Sequence, residues 1–237
     1  MSENLTILLF SATSIGFFHT ILGPDHYLPF IVMSRSNHWS INKTLLFTIL
    51  CGLGHVLSSI FLGIVAIYLG LAAEKLELIE SIRGILASWG LIAFGLLYLI
   101  WGIKKMIGNK PHEHDHIHIN GQLHTHPHTH TGNHTHLHQK KPDSGVSPWI
   151  LFLIFVLGPC EPLIPLIMYP ALNNHLFGTV MVAVVFTLIT IITMGGIVLI
   201  SISGIKITPL NRFKKYTHAV AGVTVLLCGV AIQFLGL

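Results

Sequence analysis

The chain has 237 residues, of which 52% are hydrophobic and only 9% are charged. A soluble domain carries about 25% charged residues, so this composition cannot cover a water-exposed surface. We therefore expect an integral membrane protein that is not an enzyme. The sequence contains no Walker motif and no dinucleotide fingerprint, so nothing suggests an ATPase or a nucleic-acid partner.

Six apolar segments are long enough to cross a bilayer, which takes ~20 residues per helix. In chain order they cover residues 5–33, 44–71, 82–103, 148–172, 177–202 and 219–235. A polar loop, residues 104–147, separates a first three-helix repeat (1–103) from a second one (148–237). The predicted fold is an all-α membrane protein with six transmembrane helices arranged as a 3+3 inverted repeat.

The basic residues are distributed very unevenly between the loops. Eleven of the 13 lysines and arginines lie in the first, third and fifth loops, whereas the opposite side has only Lys75 and Arg83. The positive-inside rule then places the long loop in the cytoplasm and both termini outside the cell membrane. We expect no cleaved signal peptide, because the start of the chain lacks a positive region and a cleavage site.

Gly-Pro pairs interrupt the first and the fourth spans at matching places. Residues 22–26, Leu-Gly-Pro-Asp-His, align with residues 157–161, Leu-Gly-Pro-Cys-Glu. Proline removes a backbone donor and breaks a helix, while glycine tolerates the dihedral angles that the break requires. Broken helices at equivalent positions of two inverted repeats are typical of a binding site at the bilayer midplane. The alternative is that each Gly-Pro pair is only a kink.

Ionisable side chains at these breaks are the candidate ligands, because such groups are costly inside a membrane. Asp25, His26 and Glu161 are the principal candidates, and His19, His55 and Cys160 are the weaker ones. His19 precedes His26 by seven residues, which is ~10.5 Å along a continuous helix, so the break would have to bring the two together. The alternatives are that His19 and His55 only donate hydrogen bonds and that Cys160 only packs.

This combination of ligands suits a divalent transition metal, because imidazole favours nickel, cobalt, zinc or copper over magnesium and calcium. The long loop adds a histidine-rich tract in which no apolar periodicity could form a core, so we expect it to lack regular structure. Histidine tracts of this kind are typical of metal capture. Its histidines are His112, His114, His116, His118, His124, His126, His128, His130, His134, His136 and His138.

The element of His19 followed by Asp25-His26 in a broken helix, together with His55 in the next span and the histidine-rich loop, resembles the nickel/cobalt permease superfamily, in particular its NicO-type and UreH-like membrane proteins. The spacing differs by one residue, since classical members have four residues between the first His and the Asp-His pair whereas this chain has five. The resemblance implies secondary transport of Ni²⁺ or Co²⁺, with Zn²⁺ as a further substrate and no tightly bound cofactor. The metal ion, the lipid bilayer and cytoplasmic metallochaperones would be the partners. A non-transporting accessory protein that delivers nickel is an alternative.

A second resemblance concerns residues 158–165, GPCEPLIP, which look like the Pro-Cys-x-x-Pro elements of the cytochrome c biogenesis thiol-electron carriers. Those carriers need two cysteines that can meet, but Cys51 and Cys228 lie in no comparable motif. We therefore keep thiol-electron transfer as an alternative. A small-anion exporter of the sulfite type is another alternative, against which we count the expected absence of arginine from the spans.

Overall fold

The computed structural model describes residues 3–70, 73–108, 115–117, 123–125, 148–173, 175–204 and 216–236. These residues form eight α-helices, one short 3₁₀ turn at Pro24–His26 and one pair of short strands. The helices are α1 (Glu3–Leu22), α2 (Leu28–Ser36), α3 (Ile41–Tyr68), α4 (Ala73–Gly108), α5 (Pro148–Leu157), α6 (Leu163–Leu172), α7 (Leu176–Gly204) and α8 (Thr217–Leu235).

The prediction of an all-α membrane protein is confirmed by the length and apolar character of these helices. Five of the described helices, α1, α3, α4, α7 and α8, are long and apolar enough to cross a membrane. The fourth predicted span, residues 148–172, is instead divided between α5 and α6, which have 10 residues each. Neither is long enough to cross a bilayer alone, so five of the described helices qualify as spans and the predicted arrangement of six is not confirmed.

The first break begins where α1 ends. The Gly23 N–H donates the last α-helical hydrogen bond, to the carbonyl oxygen of His19 at 3.0 Å. Pro24 follows and has no N–H to continue the ladder, so the chain makes a single 3₁₀ turn before α2 begins at Leu28. This turn redirects the backbone and places His26 beside the end of the helix that it follows.

The helices pack in pairs that link the first and second halves of the chain. The most extensive packing joins α4 to α8, and α1 packs on α7 whereas α3 packs on α5. Glycines make the α4–α8 approach possible: a Cβ added to Gly102 would lie 2.7 Å from the Ala219 backbone nitrogen, and one added to Gly229 would lie 2.8 Å from that of Ile92. Small residues of this kind allow close helix contact within membranes.

Among the described residues, the buried apolar side chains form three clusters, one of which includes the helix that follows the first break. It combines Phe30 and Ile31 from α2 with Phe155 from α5, Cys51 from α3 and residues of α7. The rings of Phe30 and Phe155 lie 4.9 Å apart. Many large apolar side chains on the outer faces of the spanning helices are exposed, as expected for surfaces that contact lipid.

Within the histidine-rich loop, the structure describes an antiparallel pair of strands, β1 (Asp115–Ile117) and β2 (Leu123–Thr125), with His116 opposite His124. For these six residues the prediction of a tract without regular structure is wrong. The other loop histidines of our prediction lie outside the described residues, namely His112, His114, His118, His126, His128, His130, His134, His136 and His138.

Candidate functional site

Three histidines from separate parts of the chain meet beside the first break. His19 lies in the last turn of α1, His26 lies in the 3₁₀ turn and His55 lies in the middle of α3. The ring centroids of His19 and His26 are 4.8 Å apart, and those of His26 and His55 are 5.1 Å apart. The break thus removes the separation of two helical turns that a continuous helix would impose on His19 and His26.

The ring nitrogens lie close enough together to hold one metal ion. One ligand nitrogen from each ring can be chosen so that all three lie within 4.8 Å of one another. The Nε2 atoms of His19, His26 and His55 are all buried and have no hydrogen-bond partner among the described residues. A buried polar atom without a partner costs about 1–3 kcal/mol, so three of them in one place require an explanation.

The ring of His26 is held in position by the break itself. Its Nδ1 lies 3.1 Å from the carbonyl oxygen of Gly23 and 3.2 Å from Oδ1 of Asp25, so a proton on Nδ1 satisfies both acceptors. That tautomer leaves the lone pair on Nε2, the atom that has no hydrogen-bond partner among the described residues. Gly23 has to be glycine here, because an added Cβ would lie 2.5 Å from the His26 Nδ1.

The three histidines line one cavity of about 770 Å³. Asp25, whose side chain is 22% exposed, and Glu161 also lie on its wall. Asp25 contacts the Nδ1 atom of His26, and Glu161 lies on the cavity wall without belonging to the group of three histidines. Cys160 does not line the cavity, since it is fully buried among apolar residues of α3, α6 and α7.

The second break, between α5 and α6, is held by residues that sequence reasoning missed. The guanidinium group of Arg83 donates hydrogen bonds to the carbonyl oxygens of Val156 at 2.8 Å and Gly158 at 3.2 Å. It also pairs with Glu80, which is completely buried. These are carbonyls at the C-terminal end of α5, where a positive charge is favourable.

Two serines of α3 complete this network. Arg83 donates to Ser58 Oγ at 2.6 Å and to Ser59 Oγ at 3.3 Å, and Ser59 Oγ accepts the Cys160 N–H at 3.1 Å. Our expectation that the spans lack arginine is therefore wrong, because the Arg83 side chain is only 12% exposed within α4. Its spacing of three residues from Glu80 on one helix was the available signal.

The three cysteines do not form a pair. Cys51, Cys160 and Cys228 are all buried with free thiols. Cys51 and Cys160 belong to different apolar clusters, and Cys51 lies eight residues before the Ser59 that binds the Cys160 backbone. Eight residues of α-helix cover ~12 Å, whereas a disulfide needs Cα atoms within ~7 Å.

The chain matches one family model, described as the cytochrome c biogenesis protein transmembrane region, over residues 28–231. Comparison with curated proteins and with solved structures gives no match. The family match and the apolar helices agree on an integral membrane protein. They overturn our assignment to the nickel/cobalt permeases, and with it nickel or cobalt transport, because the matched family is a different one. Since the match covers most of its length, the chain belongs to the family of the cytochrome c biogenesis protein transmembrane region.

Proposed function

We propose that this chain is a membrane electron carrier of the cytochrome c biogenesis type, in which a transition-metal ion on His19, His26 and His55 is the redox centre. Family membership supports the first part, because the matched model describes cytochrome c biogenesis. The observation that carries the second part is the convergence of three buried, unpartnered Nε2 atoms. Three imidazoles would hold the metal, and all three histidines line the cavity, from which a further ligand could reach it.

The ligand set restricts which metals are suitable. Neutral imidazole suits zinc, copper, iron and nickel, whereas magnesium and calcium prefer oxygen ligands. Of these, copper and iron change oxidation state and so suit an electron carrier. Asp25 would act as the outer partner of a metal-binding histidine, since it accepts the proton of Nδ1 and orients the ring of His26.

The placement of the cysteines favours a metal over a dithiol as the redox group. A dithiol carrier needs two thiols that can form a disulfide, and the separation of Cys51 from Cys160 along α3 prevents this without a large rearrangement. Cys228 lies on α8, in a segment with no similarity to the Cys160 element. The dithiol belongs instead to the protein with which the carrier exchanges electrons.

The electron balance with such a partner is simple. When a partner dithiol forms a disulfide, it releases two electrons and two protons. A copper ion held by the three histidines would accept one electron at a time, so each disulfide would require two successive reductions of the metal. In the reverse direction a partner disulfide would be reduced by two successive one-electron oxidations of the same copper site, and the dithiol formed would take up two protons.

The 3+3 inverted repeat is also part of this proposal. Exchanging the two halves of the chain turns the α1–α7 packing into the α5–α3 packing, and both pairs are present. The α4–α8 contacts run antiparallel, since Gly95 faces Leu226 whereas Gly102 faces Ala219. An inverted repeat with three spans in each half has both properties. We retain the orientation derived from loop charge, with the histidine-rich loop in the cytoplasm.

A comparison of histidine and cysteine variants tests the function directly. The full chain, purified in detergent, is loaded with copper, and both bound copper and its rate of reduction by a small dithiol are measured. A single His26→Ala variant should lose the central copper and the reduction. The matched control is His38→Asn, because His38 is an exposed histidine outside the cluster.

The cysteine-free variant, with Cys51, Cys160 and Cys228 replaced by alanine, decides between the two mechanisms. We expect it to retain one copper at the central site and the dithiol-dependent reduction. Loss of electron transfer in this variant, together with full activity of His26→Ala, would assign the redox centre to the thiols and reject the metal proposal.

A further inference from the structure

The cavity that reaches the histidines opens sideways at membrane depth. On the side of α1 it is lined by Ile15, Phe18 and Leu22, which succeed one another along one face of the helix. These side chains are 38%, 59% and 70% exposed, so they form a rim rather than a buried wall. All three lie within the span Asn4–Leu22, where the surroundings are lipid.

The opposite rim belongs to α4 and α8. Ile85, which is 47% exposed, and Leu91 line the cavity from α4, while Ile232 and Gln233 line it from α8. Among the described helices, α1 packs on α6 and α7 but makes no substantial contact with α4 or α8. In the second half the corresponding gap is closed, because α5 packs on α4. The opening between α1 and the α4–α8 pair is therefore a lateral slot that leads from lipid to the histidines.

The lining of the cavity defines the kind of molecule that could enter. Its walls are mostly apolar, whereas its inner end carries the three histidines and Asp25. A volume of about 770 Å³ lies within the ~300–1,000 Å³ of typical small-molecule sites. Such a cavity fits an amphiphile with a compact polar head and an apolar tail that remains in the slot.

The charges on the wall exclude a phospholipid head group. The described residues that line the cavity include two carboxylates, Asp25 and Glu161, but no lysine or arginine. A phosphate would meet two carboxylates and no cation, which is unfavourable at low dielectric constant. An uncharged head group with carbonyl oxygens is compatible with this wall. The cavity is also lined by Ser14, Ser81 and Gln233, whose side chains can donate hydrogen bonds to such oxygens.

We infer that the lateral slot admits a lipid-dissolved quinone whose head group exchanges electrons with the three-histidine centre. This inference depends on the proposed function, because it supplies the second redox partner of the carrier. The overall exchange balances: a dithiol and a quinone give a disulfide and a quinol. The two electrons pass singly through the metal, and the two protons released by the thiols are those that the quinone acquires.

The test measures quinone binding by variants of the slot. The full chain in detergent is equilibrated with a ubiquinone analogue that carries a ten-carbon tail, and bound quinone is quantified after removal of the excess. Ile85→Trp should weaken binding at least tenfold because the indole fills the slot. Ile82→Trp is the matched control on α4, since Ile82 is 50% exposed but does not line the cavity.

A second pair on α1 provides the same comparison if Ile85→Trp folds poorly. Phe18→Trp changes the rim, whereas the neighbouring Phe17, which is 43% exposed, does not line the cavity and provides Phe17→Trp as the control. Bound copper is measured on every variant and should remain equal to that of the unmodified chain.

The outcomes separate this inference from the proposed function. Equal quinone binding by both members of each pair, or no saturable binding by the unmodified chain, overturns the lateral quinone site. Displacement of the quinone by phospholipid at equal concentration assigns the slot to lipid and also overturns it. Loss of the central copper in His26→Ala with quinone binding retained supports both proposals, whereas an unmodified chain that binds quinone but no copper at the central site rejects the metal centre alone.

Discussion

Removal of the Arg83 side chain should destabilise the protein strongly through the charge that it leaves behind. In Arg83→Met the carboxylate of Glu80 stays completely buried without its cation. Breaking a buried pair in this way costs about 3–5 kcal/mol. The carbonyl oxygens of Val156 and Gly158 lose a donor as well, so we expect a loss of unfolding free energy of about 4 kcal/mol.

A double-mutant cycle measures how much of this loss is due to the pair itself. Reversible unfolding in mixed detergent micelles gives the free energy for Arg83→Met, for Glu80→Gln and for the double variant. The double variant should be clearly more stable than the sum of the single losses predicts, because a neutral glutamine needs no cation. We expect a coupling energy of about 2 kcal/mol, within the range for residues in one network.

A basic residue at the other end of the same helix is the control. Lys104 is exposed, so Lys104→Met should change the unfolding free energy by less than about 0.5 kcal/mol. The reasoning is refuted if Arg83→Met costs less than 1 kcal/mol, on the order of a surface ion pair, or if the two single losses are additive. Either result would mean that Glu80 is hydrated or that the second break is held by other contacts.

Three further predictions concern the site and its surroundings. Gly158→Val should weaken central copper binding at least about tenfold. A Cβ added at this position would lie 3.0 Å from the His55 Nδ1, so the larger side chain should displace the ring. An unchanged copper affinity would contradict the close approach. Deletion of residues 112–138 should leave one copper per chain at the centre, and a stoichiometry of zero would show that the loop provides essential ligands. A reporter near Gly121 should be cytoplasmic and one fused after Leu237 extracytoplasmic; the opposite labelling would invert the assigned orientation.

The hydropathy of the sequence was sufficient to place the long helices, because a bilayer imposes both length and composition on any span. The Gly-Pro pairs likewise predicted where the first and fourth spans are interrupted. From the sequence, the meeting of His19 with His26 could be expected only if the helix breaks between them, because a continuous helix would hold them two turns apart. Their distance depends on the direction in which the 3₁₀ turn leads the chain, and that is a tertiary property.

The structure brings predicted ligands together only in the first half of the chain. Alignment of the two breaks suggested that Glu161 and Cys160 would face the same centre as Asp25 and His26. In the structure Glu161 reaches only the cavity wall and Cys160 is packed among apolar side chains. A repeat in the backbone therefore did not impose equivalent side-chain directions, since neighbouring helices determine what each residue contacts.

The incorrect family assignment has a definable cause. It depended mainly on the element of His19 followed by Asp25-His26, and these residues precede the matched range 28–231. The Cys160 element lies inside that range and resembled the family to which the chain belongs. A short cluster of ligands reflects the demands of an ion, which unrelated membrane proteins can meet in the same way, whereas a match over several helices reflects the whole fold.

The glycine-lined contact between α4 and α8 has a consequence for synthesis. The ribosome completes α4 long before α8, so the α4 surface around Gly95 and Gly102 has no partner while the intervening helices are made. Its mate carries Gly222 and Gly229, and neither surface can be filled by a bulkier substitute because the backbones nearly touch. Closure of this seam must therefore wait until α8 has been synthesised.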